Sequence, residues 1–266
     1  MFSEPHEQDL LWIKFNIEDP YVTEWVITES SYTFQGKRKK LYLQEILEQE
    51  RFTPFRNKIH YITLDTNFHF DYEPPFKEVI KRKVKRFLNK NFGKKYEFVT
   101  YSELASFYAE RNQRQACVPY IQKKYKPTDI VILCDADEMF DFNDGKIEEF
   151  EKILSKNSTP FYIPRLVFCY DFDNYTNRDR YSPIVRVQNL AGKYSTHALR
   201  HPIVKNIVNR EEIFAFEYTF CFSKEAIWKK LSSFAHVTET NNEDLEFCFE
   251  NNIAQIAKNK IDRVYE

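Results

Sequence analysis

Thr128-Asp129-Ile130-Val131-Ile132-Leu133-Cys134-Asp135-Ala136-Asp137-Glu138 sets an unbroken apolar run directly against three carboxylates. The run is short and β-branched, which predicts a strand buried on both faces, as in a parallel sheet. Ligands of open α/β sheets bind beyond the carboxyl ends of the strands, and Asp135 and Asp137 stand at such an end. Three neighbouring acids repel one another, and burying them uncompensated is costly. A divalent cation answers both problems, because Mg²⁺ and Mn²⁺ take carboxylate oxygens and bridge to phosphates. Asp-x-Asp by itself also occurs in solvated turns and helix caps. Its place after a buried strand is what points to a metal.

The remaining composition narrows the class. A chain of 266 residues can bury a full core, as one large domain or two small ones. Its 25 Phe and 17 Tyr can stack on sugar rings or fill a core. The formal net charge of −1 gives no global electrostatic case for nucleic acid, which is not an expected partner. Five cysteines, none in a Cys-x-x-Cys pair, argue against zinc and for reduced thiols. Met1 to Asp9 is polar and acidic, unlike a signal peptide, and no run approaches the ~20 apolar residues of a membrane span. A single cytoplasmic domain over residues 1–266 is the economical expectation.

Working outward from the central stretch, Leu10–Ile17 predicts a helix ending before Pro20. Glu24–Thr28 and Lys58–Leu64 predict strands, with a helix over Leu41–Glu50 between them, a βαβ unit. The first strand runs into a polar loop, Glu29–Lys37, containing Gly36, and a basic cluster, Lys37–Lys40. Phe76–Lys95 is a basic helix with Ile80, Val84, Phe87 and Leu88 on one face. It reads as a surface helix with a solvated charged side, or as a patch over residues 77–95 for a membrane surface or an anionic substrate. Ser102 caps a helix that carries Glu110, Arg111 and Arg114 and ends by Tyr125. A turn at Asp144-Gly145 precedes a helix over Lys146–Lys156. Pro160–Phe172, Ser182–Leu190 and Phe214–Phe222 predict strands, the first two separated by a polar loop, Asn174–Arg180. Ser223 caps a further helix, and Asn242–Lys258 predicts the last.

Several of these pieces, in order along most of the chain, resemble glycosyltransferase family 17, the family of the bisecting β-1,4-N-acetylglucosaminyltransferase. They are Asp9–Phe15, Val26-Ile27-Thr28-Glu29-Ser30, Tyr32-Thr33-Phe34-Gln35-Gly36-Lys37 with Lys39, Arg51-Phe52, Lys58–Tyr61, Arg114, Asp135-Ala136-Asp137-Glu138, Arg165 with Tyr170 and Phe172, and Lys230–His236. Family members often carry Gly-Trp-His near residue 217, where this chain has Glu217. Without a membrane anchor it resembles a soluble microbial or viral relative of the Golgi enzymes.

The resemblance implies a GT-A-like α/β domain with a mostly parallel central sheet flanked by helices. It implies metal-dependent, inverting transfer of a sugar, by family N-acetylglucosamine, from a UDP-sugar to a glycan or lipid-linked acceptor. Mn²⁺ or Mg²⁺ would be held by Asp137 and, directly or through water, by Asp135, with His236 as a third ligand. Inversion needs a carboxylate base, for which Glu217 and Glu239 are the candidates. Glu217 stands among apolar residues, which would raise its pKa, unless it lies on the exposed face of an alternating strand. Glu29 and Ser30 end the first strand where the nucleoside would lie, and Lys37 would reach the diphosphate. Arg114 would pair with a phosphate or with an acid of the central motif. Arg165 and Tyr170 would contact sugar or pack in the core. Two other classes fit the acids or the basic helix: a metal-dependent nucleotidyltransferase or phosphohydrolase, and a non-enzymatic docking module.

Overall fold

The computed structural model describes residues 5–92, 100–143, 145–156, 159–169, 175–176, 181–190, 196–200, 207, 215–219 and 221–233. Helix α1 (Gln8–Glu18) leads into β1 (Trp25–Ser30), and α2 (Leu43–Leu47) with a 3-10 segment, Glu50–Lys58, returns the chain to β2 (Ile59–Leu64). Three helices follow: α3 (Phe76–Phe92), α4 (Tyr101–Gln115) and α5 (Val118–Lys124). Then come β3 (Ile130–Ile132), β4 (Glu138–Phe140), α6 (Lys146–Lys156), β5 (Phe161–Cys169), β6 (Tyr175–Thr176) and β7 (Tyr181–Arg186). Helix α7 (Thr196–Arg200), β8 (Ala215–Thr219) and α8 (Lys224–Ser233) complete the described elements. Among the described residues no helix is long and apolar enough to cross a membrane.

The α/β class stands, but the sheet differs from expectation. β1 and β2 form a parallel pair in register from Trp25↔Ile59 to Ser30↔Leu64, as the βαβ reading requires. The six-stranded sheet, ordered β3-β7-β5-β8-β4 with β6 on β5, is mixed rather than mostly parallel. Its β3–β7, β5–β7, β4–β8 and β5–β6 pairs are antiparallel, and β5–β8 is parallel. The apolar run was read as a parallel strand because both faces needed cover. Helices provide that cover here too: Ile130 and Ile132 pack with α6 residues Phe150 and Ile153, while Val131 and Leu133 pack with Val118 and Ile121 of α5. Two-sided burial therefore does not settle strand direction.

Two helix boundaries also moved. The cap of α4 is Thr100, whose hydroxyl accepts Glu103 N–H while the Glu103 carboxylate accepts Thr100 N–H; Ser102 lies inside the helix. The single helix expected to run to Tyr125 divides at Cys117, because Pro119 has no N–H to offer the Gln115 carbonyl.

β1 and β3 run the same way, side by side. Gln113 and Arg114 are neighbours on α4, and they reach the Thr28 carbonyl at the end of β1 (3.1 Å) and Asp135 beyond β3 (2.8 Å). At the opposite ends, Glu24 before β1 accepts hydrogen bonds from Tyr120 and Tyr125, the residues that lead into β3. The two strands are not paired with each other; both border a cavity of about 690 Å³. That cavity accounts for the partial exposure of Ile130, Val131 and Ile132.

Gly36 closes the loop after β1. Its φ of +79° lies in the left-handed region, and its N–H donates to the Thr33 carbonyl. A Cβ there would meet His69 Nδ1 at 3.1 Å and Asn67 Oδ1 at 3.2 Å. Gly145, at φ +81°, has only Glu148 Oε2 at 3.8 Å. Gly36→Ala is therefore expected to cost about 1–2 kcal/mol in denaturant unfolding, and more than Gly145→Ala, which bears the backbone cost alone. Equal losses in the two variants would contradict the tight packing at Gly36.

Candidate functional site

The three acids lie on a tight turn. Glu138 N–H donates to the Asp135 carbonyl (3.2 Å), so Asp135, Ala136, Asp137 and Glu138 reverse the chain between β3 and β4. Asp is favoured at the first position of such turns. Ala136 is buried against the α1–β1 core and anchors the turn. Helix α1 braces both sides. Lys14 Nζ donates to the Glu138 carbonyl at 2.6 Å and contacts Cys134 Sγ at 3.4 Å, and Glu18 accepts Phe140 N–H at 2.9 Å. Lys14 and Glu18 are themselves a buried pair one helical turn apart, at 2.9 Å.

The turn spreads the acids over four cations, with Arg200 shared by Asp135 and Glu138. Asp135 meets Arg114 at 2.8 Å and Arg200 at 3.1 Å. Glu138 is held between Arg165 and Arg200. Asp137 meets Lys230 at 2.9 Å, and Lys230 also meets Glu7 at 3.2 Å. Glu110 meets the same Arg114 nitrogen, Nη2, at 3.0 Å. Glu217 holds the far side of Arg165 at 3.0 Å. These contacts set the acids apart chemically. Burial would raise the Asp135 carboxyl, but Arg114 and Arg200 hold it well below the usual carboxylate range. Burial acts on Glu138 too, and Arg165 and Arg200 bring it down to about 2. Asp137 goes the other way. Burial raises it, Lys230 opposes this, and the charges of Glu7, Asp135 and Glu138 leave it above the usual range.

The arrangement bears on the metal expectation. Among the described residues no group of three or more His, Cys, Asp or Glu side chains converges as a metal site. His236, the third ligand expected from the resemblance, lies outside the described residues, as do Tyr170, Phe172 and Glu239. Mg²⁺ commonly takes one or two carboxylates plus substrate phosphates, and needs no protein cage. Six carboxylates, Glu7, Glu110, Asp135, Asp137, Glu138 and Glu217, share four cations among the described residues. Asp137, whose carboxyl is held above the usual range by burial and its acidic neighbours despite Lys230, is the residue present that fits such an ion.

The other expected residues fall into place around this turn, with some changes. Arg114 takes the acid rather than remaining free for a phosphate. Glu29 is fully buried, and its carboxylate accepts from Lys39, Tyr61 and the backbone N–H groups of Tyr42 and Leu43. It ties the Gly36 loop to the start of α2. Ser30 Oγ accepts Tyr32 N–H at 3.1 Å. Lys37 is exposed, whereas Lys39 of the same basic cluster turns inward to Glu29 at 2.8 Å. That cluster is therefore only partly solvated. Phe34 packs on Ala109 of α4, so α4 carries the loop, the end of β1 and the acid turn on successive turns. Glu217 lies directly across the β4–β8 ladder from Glu138. It is ion-paired with Arg165 and accepts the Thr219 hydroxyl, in place of the apolar surroundings the sequence suggested.

The sequence reading missed Glu7 and Arg200 as members of this network, and gave neither Glu138 nor Lys230 a role of its own. Both had a signal, in the Asp135–Glu138 and Lys230–His236 stretches that carried the resemblance. Comparison with known families matches the description "Glycosyltransferase family 17" over residues 1–95. This region spans α1 to α3 with the Gly36 loop and stops before the acid turn. Searches of curated proteins and of solved structures returned no match.

Proposed function

We propose that this chain, whose first 95 residues match the glycosyltransferase family 17 model, is a glycosyltransferase that moves a sugar from a UDP-linked donor bound at the Asp135–Glu138 turn to a glycan or lipid-linked acceptor. N-acetylglucosamine is the proposed sugar. The observation that carries this reading is Asp137, buried in the turn beyond β3 with its carboxyl held above the usual range although Lys230 lies 2.9 Å away. Side-by-side strands with an acid turn at their ends support a GT-A-like domain.

In this reading Asp137, with Asp135 beside it on the turn, would hold Mn²⁺ or Mg²⁺. The ion, when bound, neutralises charge that grows on the departing diphosphate. The chain's own residues do the rest. Arg114 and Arg200 fix Asp135 and Glu138, so the turn need not reorganise when charge develops. Ser30 and Glu29 shape the end of β1 for the nucleoside, and Lys37 extends from the loop towards the diphosphate. Glu217 takes the proton from the acceptor hydroxyl, with Arg165 as its positioning partner. His236 and Glu239 follow the end of α8 by three and six residues. His236 remains the proposed third ligand and Glu239 the second candidate base, both on the resemblance alone. Cys117, Cys134 and Cys221 are unbridged, which supports a cytoplasmic workplace.

The test is a panel of UDP-sugars incubated with candidate acceptors, with Mn²⁺ or with a chelator. The expected result is UDP release that requires both metal and acceptor, greatest with UDP-N-acetylglucosamine. Release of pyrophosphate or inorganic phosphate would instead identify a nucleotidyltransferase or a phosphohydrolase.

A further inference from the structure

Helix α3 turns its apolar face outward. The sequence pattern allows either a solvated charged side or a patch for a membrane surface or an anionic substrate; in the structure Phe76 is 78% exposed, Ile80 45%, Val84 51% and Phe87 58%. At about 100° per residue these four fall within an arc of about 80°, a stripe roughly 17 Å long. Exposed lysines border it on both sides, Lys83 and Lys90 along one edge, Lys77 and Lys81 along the other. Glu78, the one acid of the helix, lies behind, with Arg82 at 3.3 Å and Lys81 at 4.0 Å. Arg82 is 6% exposed and sits over the Tyr101 ring at 4.3 Å, so the opposite face is the one that docks on the protein.

We propose that α3 seats the enzyme on an anionic lipid bilayer, with Phe76, Ile80 and Val84 entering the acyl boundary and the four lysines meeting the headgroups. The charge pattern selects this occupant. A straight stripe with cations on both sides matches a flat, negative, apolar-backed surface. Nucleic acid would engage the lysines but leave the apolar side chains in water. The inference rests on α3 alone and is independent of the donor site.

The full chain is sedimented with vesicles of phosphatidylcholine, and with vesicles of equimolar phosphatidylcholine and phosphatidylglycerol. It is expected to bind the second and not the first. Lys83→Gln with Lys90→Gln should lower the partition about 25-fold, about fivefold per lysine, and added salt should weaken wild type in the same direction. Phe76→Ser with Ile80→Ser should reduce binding at every salt concentration. Both double variants change exposed positions and should keep the wild-type melting curve. Failure to bind, equal binding to both vesicles, or binding untouched by the apolar variant would overturn the proposal. So would self-association that the apolar variant abolishes, which would make the stripe a seat for a second copy.

Discussion

Asp137→Asn is expected to lower the rate of sugar transfer by about a thousandfold or more, with little change in stability. The rate loss is expected because, on the proposed mechanism, the substitution removes the carboxylate that would hold the divalent ion, an effect of several kcal/mol at about 1.4 kcal/mol per tenfold. Unchanged stability follows from the sign of the pKa shift. A carboxyl raised above its unfolded value is disfavoured as an ion in the folded protein, so at neutral pH ionised Asp137 contributes no net stabilisation. A neutral isostere removes that penalty, and Lys230 keeps Glu7 as its partner. Steady-state kinetics and a thermal melt check the two halves separately. A folded variant that retains wild-type turnover would place the reaction elsewhere.

Glu138→Gln should behave in the opposite way, as a stability lesion before anything else. Glu138 is 2% exposed and joins Arg165 to Arg200, and its carboxyl, brought down to about 2, is an ion throughout the neutral range. Removing one partner from a buried pair leaves charge uncompensated and costs roughly 3–5 kcal/mol. For a chain of this size that lowers the melting temperature by roughly 10 °C. Arg165→Met should cost a similar amount, and the double variant less than the sum, because each single change already breaks the shared contact. Losses below about 1 kcal/mol would show that the network is not the clamp of the turn.

Periodicity and capping signals in the sequence were sufficient for α1, α3, α6 and the β1–β2 unit, where local pattern and final packing agree. They were insufficient for strand direction in the larger sheet. β3 and β7 are covered by helices on both faces, and cover by helices looks the same in a parallel or an antiparallel strand. The acids were visible as a group, and their mutual repulsion was the right physical problem. Much of the answer to it comes from Arg165, Arg200 and Lys230, which reach the turn from 27 to 93 residues away. No window of sequence can display such a pairing. Glu217 shows the same limit: its chain neighbours are apolar, but its cross-strand neighbour is Glu138 and its ion partner is Arg165.

The central claim is that Asp137 and a divalent ion together hold the diphosphate of the donor. Calorimetric titration of UDP into the wild-type protein and Asp137→Asn, each with and without Mn²⁺, tests it most directly. Binding to the wild-type protein is expected to require Mn²⁺ and to disappear in the variant. UDP binding of equal strength in both proteins, or binding indifferent to Mn²⁺, would contradict it.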